Sequence, residues 1–261
     1  MSSPNPYAAP KAPVADATIT LPGNFTPGGR ARPAGEGWTW IADGWRFFLR
    51  SPGTWIAIAL VLIVIFFVLA AIPVVGGLAL SLLMPVFVGG LMLGCRALDE
   101  GGEIEFRHLF AGFQNQAGNL IAVGAIYLGL SIGVILIVMA FTGASMFALF
   151  SGGAHPAPGA AGPLPAVALL AVLIGLALFV PIAMAMWFAA PLVVLNQLGP
   201  VEAMKQSFSG CLRNVVPFLV YGAVMFVLAI VATVPLGLGW LVLTPIGAGS
   251  LYASYRAIYL S

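Results

Sequence analysis

The stretch WIAIALVLIVIFFVLAAI, residues 55 to 72, holds no charged side chain over 18 positions, and comparable stretches recur to the end of the chain. A helix needs about 20 predominantly apolar residues to cross a bilayer, where no water can satisfy an open backbone. VVGGLALSLLMPVFVGGLMLGC (74 to 95) follows after Pro73, then NLIAVGAIYLGLSIGVILIVMAFTG (119 to 143) and LPAVALLAVLIGLALFVPIAMAMWFAAPLVVL (164 to 195). VVPFLVYGAVMFVLAIVATV (215 to 234) and LGWLVLTPIGAGSLYASYRAIYL (238 to 260) complete the set. The pattern predicts an all-α polytopic membrane domain over residues 36 to 261, with six transmembrane helices. Charged residues make up 7% of the chain, against about 25% in soluble domains.

Arg30, Arg32, Arg46, Arg50, Arg96, Arg107, Lys205, Arg213 and Arg256 fall before the first span, in alternate connections, or near the end of the last. The remaining connections, PVVGG, SGGAHPAPGAAGP and PLG, contain no Lys, Arg, Asp or Glu. Under the positive-inside rule the charged side is cytoplasmic, which predicts an inner-membrane protein with both termini inside. The net charge of +2 and the scattering of the basic residues argue against a nucleic-acid partner.

Residues 1 to 35 are rich in Pro, Ala and Gly and poor in large apolar side chains, so a disordered cytoplasmic tail is expected there. The segment has neither the basic start nor the apolar core of a cleavable signal.

An internal repeat shows in the periodicity. At an offset of 163, Trp38, Ile41, Trp45, Phe48 and Leu49 align with Val201, Met204, Phe208, Cys211 and Leu212, each set gathering on one helix face. The opposite faces carry Thr39, Asp43, Arg46 and Arg50, and Glu202, Gln206, Ser209 and Arg213. A weaker copy, Phe106, Leu109 and Phe113 with Arg107 and Gln114, precedes the third span. LMPVFVGGLMLGCRA and LTPIGAGSLYASYRA match at an offset of 160, and VPIAMAMWFAAPL shares the proline. The sequence therefore predicts three hairpin pseudo-repeats, each preceded by an amphipathic interfacial helix, at about 38–50, 104–116 and 200–213.

The stretches NPYAAP, GWTWIADGWRFFLRSPGTWI and PVFVGGLMLGCRALDEGGEIEFRHLFAGF resemble an uncharacterised family of bacterial six-span integral membrane proteins. More distantly, the hairpin plan is similar to the membrane domain fused to some glycerophosphodiester phosphodiesterases. The first resemblance implies an inner-membrane location; the second implies fold without activity.

Chemistry-bearing residues are sparse. Asp99, Glu100, Glu103, Glu105 and His108 share one loop, but their spacing fits no EF-hand and Arg107 opposes a cation, so a solvated loop is expected and no metal site. His155 reads as an exposed loop residue, and Cys95 and Cys211 as small packing residues. No nucleophile, base and orienting group can be assembled, so no enzyme activity and no cofactor are expected. The spans lack Asp, Glu, Lys and His between their rims, which disfavours a coupled pump.

Candidate lipid-headgroup contacts are Trp38, Trp45, Arg46, Arg50, Arg96, Arg213 and Arg256. Pro85, Pro181 and Pro245 are candidate helix-bend positions, because each frees a backbone carbonyl one turn earlier. The expected role is a non-enzymatic one, binding or organising membrane lipids. The alternative is an uncoupled transporter or channel for a small neutral or lipid-like solute. A protein partner or a second copy of the chain is compatible with either role.

Overall fold

The computed structural model describes residues 25–151 and 164–260. The amphipathic α1 (Glu36–Arg50) leads into α2 (Pro52–Ala70) and α3 (Val75–Asp99). A 3-10 turn (Phe106–Phe110) and the short α4 (Ala111–Gln114) precede α5 (Ala117–Ser151), α6 (Leu164–Trp187) and α7 (Ala189–Asn196). The amphipathic α8 (Pro200–Arg213) precedes α9 (Val215–Thr233) and α10 (Trp240–Tyr259). Among the described residues the only extended pairing is an isolated antiparallel bridge between Phe25 and Leu260.

Among the described residues, five apolar segments are long enough to cross a membrane: Pro52–Ala70, Val75–Asp99, Ala117–Gly143, Ala166–Asn196 and Val215–Thr233. They fall on the first five stretches read from the sequence. The helix on the sixth stretch, α10, is more polar, carrying Ser250, Tyr252, Ser254, Tyr255, Arg256 and Tyr259. It is enclosed by α1, α2, α3 and α9, so its side chains meet protein over most of their surface. Its polar groups are bonded there: Tyr255 Oη donates to Asn196 Oδ1 at 2.6 Å, and Tyr259 Oη to the Gln206 carbonyl at 2.7 Å.

Pro85, Pro181 and Pro245 all lie inside continuous helices. The fourth stretch, long enough to break at Pro181 or Pro191, is interrupted at Phe188, between α6 and α7. Pro191 lacks an N–H and its ring crowds the carbonyl of Trp187, which opens the helix one turn ahead of it. Ser207 of α8 fills the gap. Its hydroxyl accepts from the Phe188 N–H at 2.8 Å and donates to the Met184 carbonyl at 2.7 Å, restoring through a side chain the bond the helix lost.

The second amphipathic element covers 106–114 of the expected 104–116, as a 3-10 turn running into α4 rather than one α-helix. Glu105 caps the 3-10 turn by accepting from the His108 backbone N–H, while His108 Nδ1 accepts from the Glu105 N–H at 2.9 Å.

Each amphipathic element packs on a proline-bearing helix, two of them on the helix just before them in the chain and α1 on the last one. α1 lies on α10, the 3-10 turn and α4 lie on α3, and α8 lies on α6 and α7. Small residues make the contacts close. A Cβ on Gly44 would strike the Ile246 carbonyl and Ser250, and one on Gly112 would strike the Val86 carbonyl. Facing Gly44 across the contact, a Cβ on Gly249 would stand 2.9 Å from the Gly44 Cα. Replacing Gly44 by Leu is therefore expected to push α1 off α10 and cost about 1–3 kcal/mol or more. Thermal melts of the solubilised protein should show a clear drop for Gly44→Leu, and none for Gly53→Ala, where the space is open.

Candidate functional site

α1 presents three different faces. Trp40, Gly44 and Phe47 are buried against α9 and α10, with Trp40 packed on Phe218 at 5.2 Å and Phe47 edge-on to Tyr252 at 5.6 Å. A second face, Trp38, Ile41 and Trp45, lines an apolar groove of about 570 Å³ whose other walls include Leu228 and Val231 of α9 and Val242 of α10. Trp38 is 61% exposed and Trp45 43%. The third face, Asp43, Arg46 and Arg50, borders a polar cavity of about 450 Å³ that also takes in Arg32, Asp99 and Arg256.

The helix thus does not simply lie flat with Trp38, Ile41, Trp45, Phe48 and Leu49 down. Ile41 and Phe48 of that set are buried, but so are Trp40, which the sequence pattern left out and which is the most buried large side chain of the helix, and Gly37, Gly44 and Phe47 beside it. Gly37 and Gly44, seven residues apart, were the available signal: both sit where a Cβ would strike a neighbouring helix.

Of the seven candidate headgroup residues, Arg46, Arg50 and Arg256 meet at the polar cavity and Trp38 and Trp45 at the groove. Arg46 Nη1 pairs with Asp43 at 2.9 Å, and Arg256 pairs with Asp99, which also accepts from Tyr252 Oη at 3.3 Å. Arg50 Nη1 donates to the Leu98 carbonyl at 2.6 Å, with its guanidinium 5.6 Å from the Phe47 ring centroid. Arg96 and Arg213 lie apart from the cavity. Arg96 sits 3.7 Å from Glu100, and Arg213 Nη1 donates to the Gly29 carbonyl at 2.8 Å.

That last bond belongs to a correction. Residues 25–35, expected within the disordered tail, form an ordered strap across α8 and α10. Phe25 stacks on Tyr259 at 6.0 Å, the Thr26 N–H donates to the Tyr259 carbonyl at 2.8 Å, and the Arg30 N–H to the Ile258 carbonyl at 2.9 Å. Buried Asn214 clasps the strap from both sides, accepting from the Arg32 N–H at 2.8 Å and donating to the Arg30 carbonyl at 2.9 Å. Gly28 and Gly29 turn it at φ 76° and 68°, values that glycine adopts without strain. The strap is held by main-chain hydrogen bonds more than by apolar burial, so its composition resembled a free tail. It carries Arg32 to the cavity, with Nε donating to the Ala257 carbonyl at 2.6 Å. Residues 1–24 of the expected tail, and His155, lie outside the described residues.

The acidic loop disperses its carboxylates: Asp99 to Arg256 and Tyr252, Glu100 to Arg96, and Glu105 to Arg107 at 2.8 Å. Among the described residues no three metal-ligating side chains gather. Cys95 and Cys211 are both buried free thiols.

No family model matches the chain, and no solved structure matches it. What the fold and rim define is a multi-helix membrane protein. The chain is 28% identical over 202 residues to a probable inner membrane protein of Burkholderia thailandensis, an alignment covering 76% of this chain and 74% of that one.

Burial pushes the Cys211 thiol up to about 12, with a Ser207 hydrogen bond opposing the shift. The raised value keeps the thiol protonated through the neutral range, and at pH 8 on the order of one in ten thousand is the reactive thiolate. Maleimide labelling of the folded protein should therefore leave Cys211 unmodified, while unfolding in detergent exposes it. Rapid labelling of the native state would contradict its burial.

Proposed function

We propose that the chain is a non-enzymatic, six-span inner-membrane protein that binds lipid, with α10 as the sixth span and the arginine-bearing rim in the cytoplasm. The observation that carries the reading is the groove beside α1. It is lined almost wholly by carbon, and its far wall runs along the last turns of α9 (Leu228, Val231), the turn that follows (Pro235, Gly239) and α10 (Val242), an apolar trough beside a spanning helix. Its size falls in the range of small-molecule sites, about 300–1,000 Å³. Trp38 and Trp45 at its mouth suit the interface, where an aromatic ring meets chains on one side and headgroups on the other. An acyl chain is the occupant this chemistry favours.

The three-unit plan is supported by equivalent contacts. At the offset of 163, buried Trp40, Ile41, Gly44, Phe47 and Phe48 of α1 correspond to buried Ala203, Met204, Ser207, Gly210 and Cys211 of α8. At the offset of 160, Ile246 and Ser250, which back onto Gly44, correspond to Val86 and Gly90, which back onto Gly112. Each amphipathic element then seats on the second long helix of the preceding unit, and the third unit closes on the first. The positive-inside rule supplies the orientation.

Native mass spectrometry of the protein released from its own membrane tests the lipid reading. One lipid retained at fixed stoichiometry in the wild type, and lost in Val231→Trp, which fills the groove wall, is the expected result. A bare protein, or retention unchanged by the substitution, would contradict it, as would flux of a neutral solute through proteoliposomes that the same substitution blocks.

A further inference from the structure

The polar cavity lies on the other face of α1 from the groove, and its charges do not balance. Arg32, Arg46, Arg50 and Arg256 bring four positive charges to it, and Asp43 and Asp99 bring two negative ones. Each carboxylate is committed to one arginine, Asp43 to Arg46 and Asp99 to Arg256. Among the described residues, Arg32 and Arg50 have no carboxylate partner. Both are held by main-chain carbonyls instead, Arg32 through Nε on Ala257 and Arg50 through Nη1 on Leu98. A carbonyl orients a guanidinium without neutralising it. Each fork has five N–H donors, so one tether leaves donors for a planar or tetrahedral oxyanion.

The three sources of these arginines make the arrangement specific. Arg32 arrives on the strap, Arg50 at the end of α1 and Arg256 near the end of α10, and each is fixed by a separate bond. Phe47 closes one wall of the cavity and keeps Arg50 over its ring. Two uncompensated, pre-oriented guanidiniums in one cavity call for a ligand that brings two negative charges together.

We propose that this cavity binds the dianionic phosphate of a phosphomonoester, with Arg32 and Arg50 as its principal ligands and the Arg46 and Arg256 ion pairs flanking it. A phosphomonoester has a second pKa of about 6, so it carries nearly two charges at neutral pH. A phosphodiester carries one and leaves half of the excess uncompensated. The phosphate belongs either to a lipid headgroup of the phosphatidic acid kind or to a soluble molecule arriving from the water. The site does not depend on the acyl-chain reading, since the groove lies across α1 and can be blocked separately.

The test uses the full chain in nanodiscs of phosphatidylcholine doped with either phosphatidic acid or phosphatidylglycerol, and in undoped discs titrated calorimetrically with inorganic phosphate in mildly alkaline buffer. Mass spectrometry of protein ejected from the doped discs counts bound lipid. Retention of phosphatidic acid over phosphatidylglycerol, reduced about tenfold or more in Arg32→Gln plus Arg50→Gln, supports the site with a lipid source. Saturable binding of inorganic phosphate, weakened to the same degree, supports it with a soluble source. Lys205→Gln, which removes an exposed charge away from the cavity, should leave either signal unchanged, and Val231→Trp should spare both. Equal retention of the two lipids together with no phosphate binding, or binding indifferent to the double substitution, overturns the proposal. The comparison of the two lipids needs only the wild type, so a misfolded double variant does not remove the test.

Discussion

The close seating of α1 on α10 organises the charged half of the molecule. Gly44 allows it, because a side chain there would run into the Ile246 carbonyl and Ser250, and Gly249 removes the corresponding obstacle on the other helix. With the two backbones in contact, Trp40 and Phe47 reach the aromatic cluster of Phe218, Tyr221 and Tyr252. The same seating turns Trp38 and Trp45 toward one cavity and Arg46 and Arg50 toward another. A surface-lying helix would have had two faces; a seated one has three. Gly112 on Val86 and Ser207 between Met184 and Phe188 perform the same service for the other two amphipathic elements.

The serine and tyrosine side chains of α10 meet protein and are hydrogen-bonded to it. Tyr252, Tyr255 and Tyr259 follow one stripe of α10 and reach Asp99 of α3, Asn196 of α7 and the Gln206 carbonyl of α8. One helix thereby ties three others at the charged rim, and the strap is bonded across the same end. A buried hydroxyl without such a partner would be costly in a medium that offers no water. At the polar cavity Arg46 and Arg256 are paired with carboxylates, while Arg32 and Arg50 are held by main-chain carbonyls and face an opening to solvent.

Much of this was legible in the sequence because two periods dominate it. The apolar lengths fixed five of the spanning segments closely, and the 3.6-residue period placed α8 at its observed bounds, Pro200–Arg213. Periodicity failed where backbone hydrogen bonds or small residues decide the outcome. The strap buries little, so its order depends on Asn214 and Arg213, some 180 residues away. The stripe through Trp40 and Gly44 is interrupted by glycine, so it reads as less apolar than the Trp38 and Trp45 stripe, although it is buried along its length while Trp38 and Trp45 are exposed and only Ile41 and Phe48 of their set are covered. Arg96 and Arg256 align in sequence at the offset of 160, yet Arg96 meets Glu100 on its own helix end while Arg256 crosses to Asp99. Position in a repeat does not settle partners at a rim where each connection differs.

The seating of α1 is tested most directly by quenching of single tryptophans. Variants retaining only Trp38, Trp40 or Trp45, reconstituted with lipids brominated on the acyl chains, report which rings touch hydrocarbon. Strong quenching of Trp38 and Trp45 with little effect on Trp40 is the outcome the three-faced helix requires. Equal quenching of all three, or quenching of Trp40 above the other two, would mean that α1 lies on the leaflet without docking onto α10.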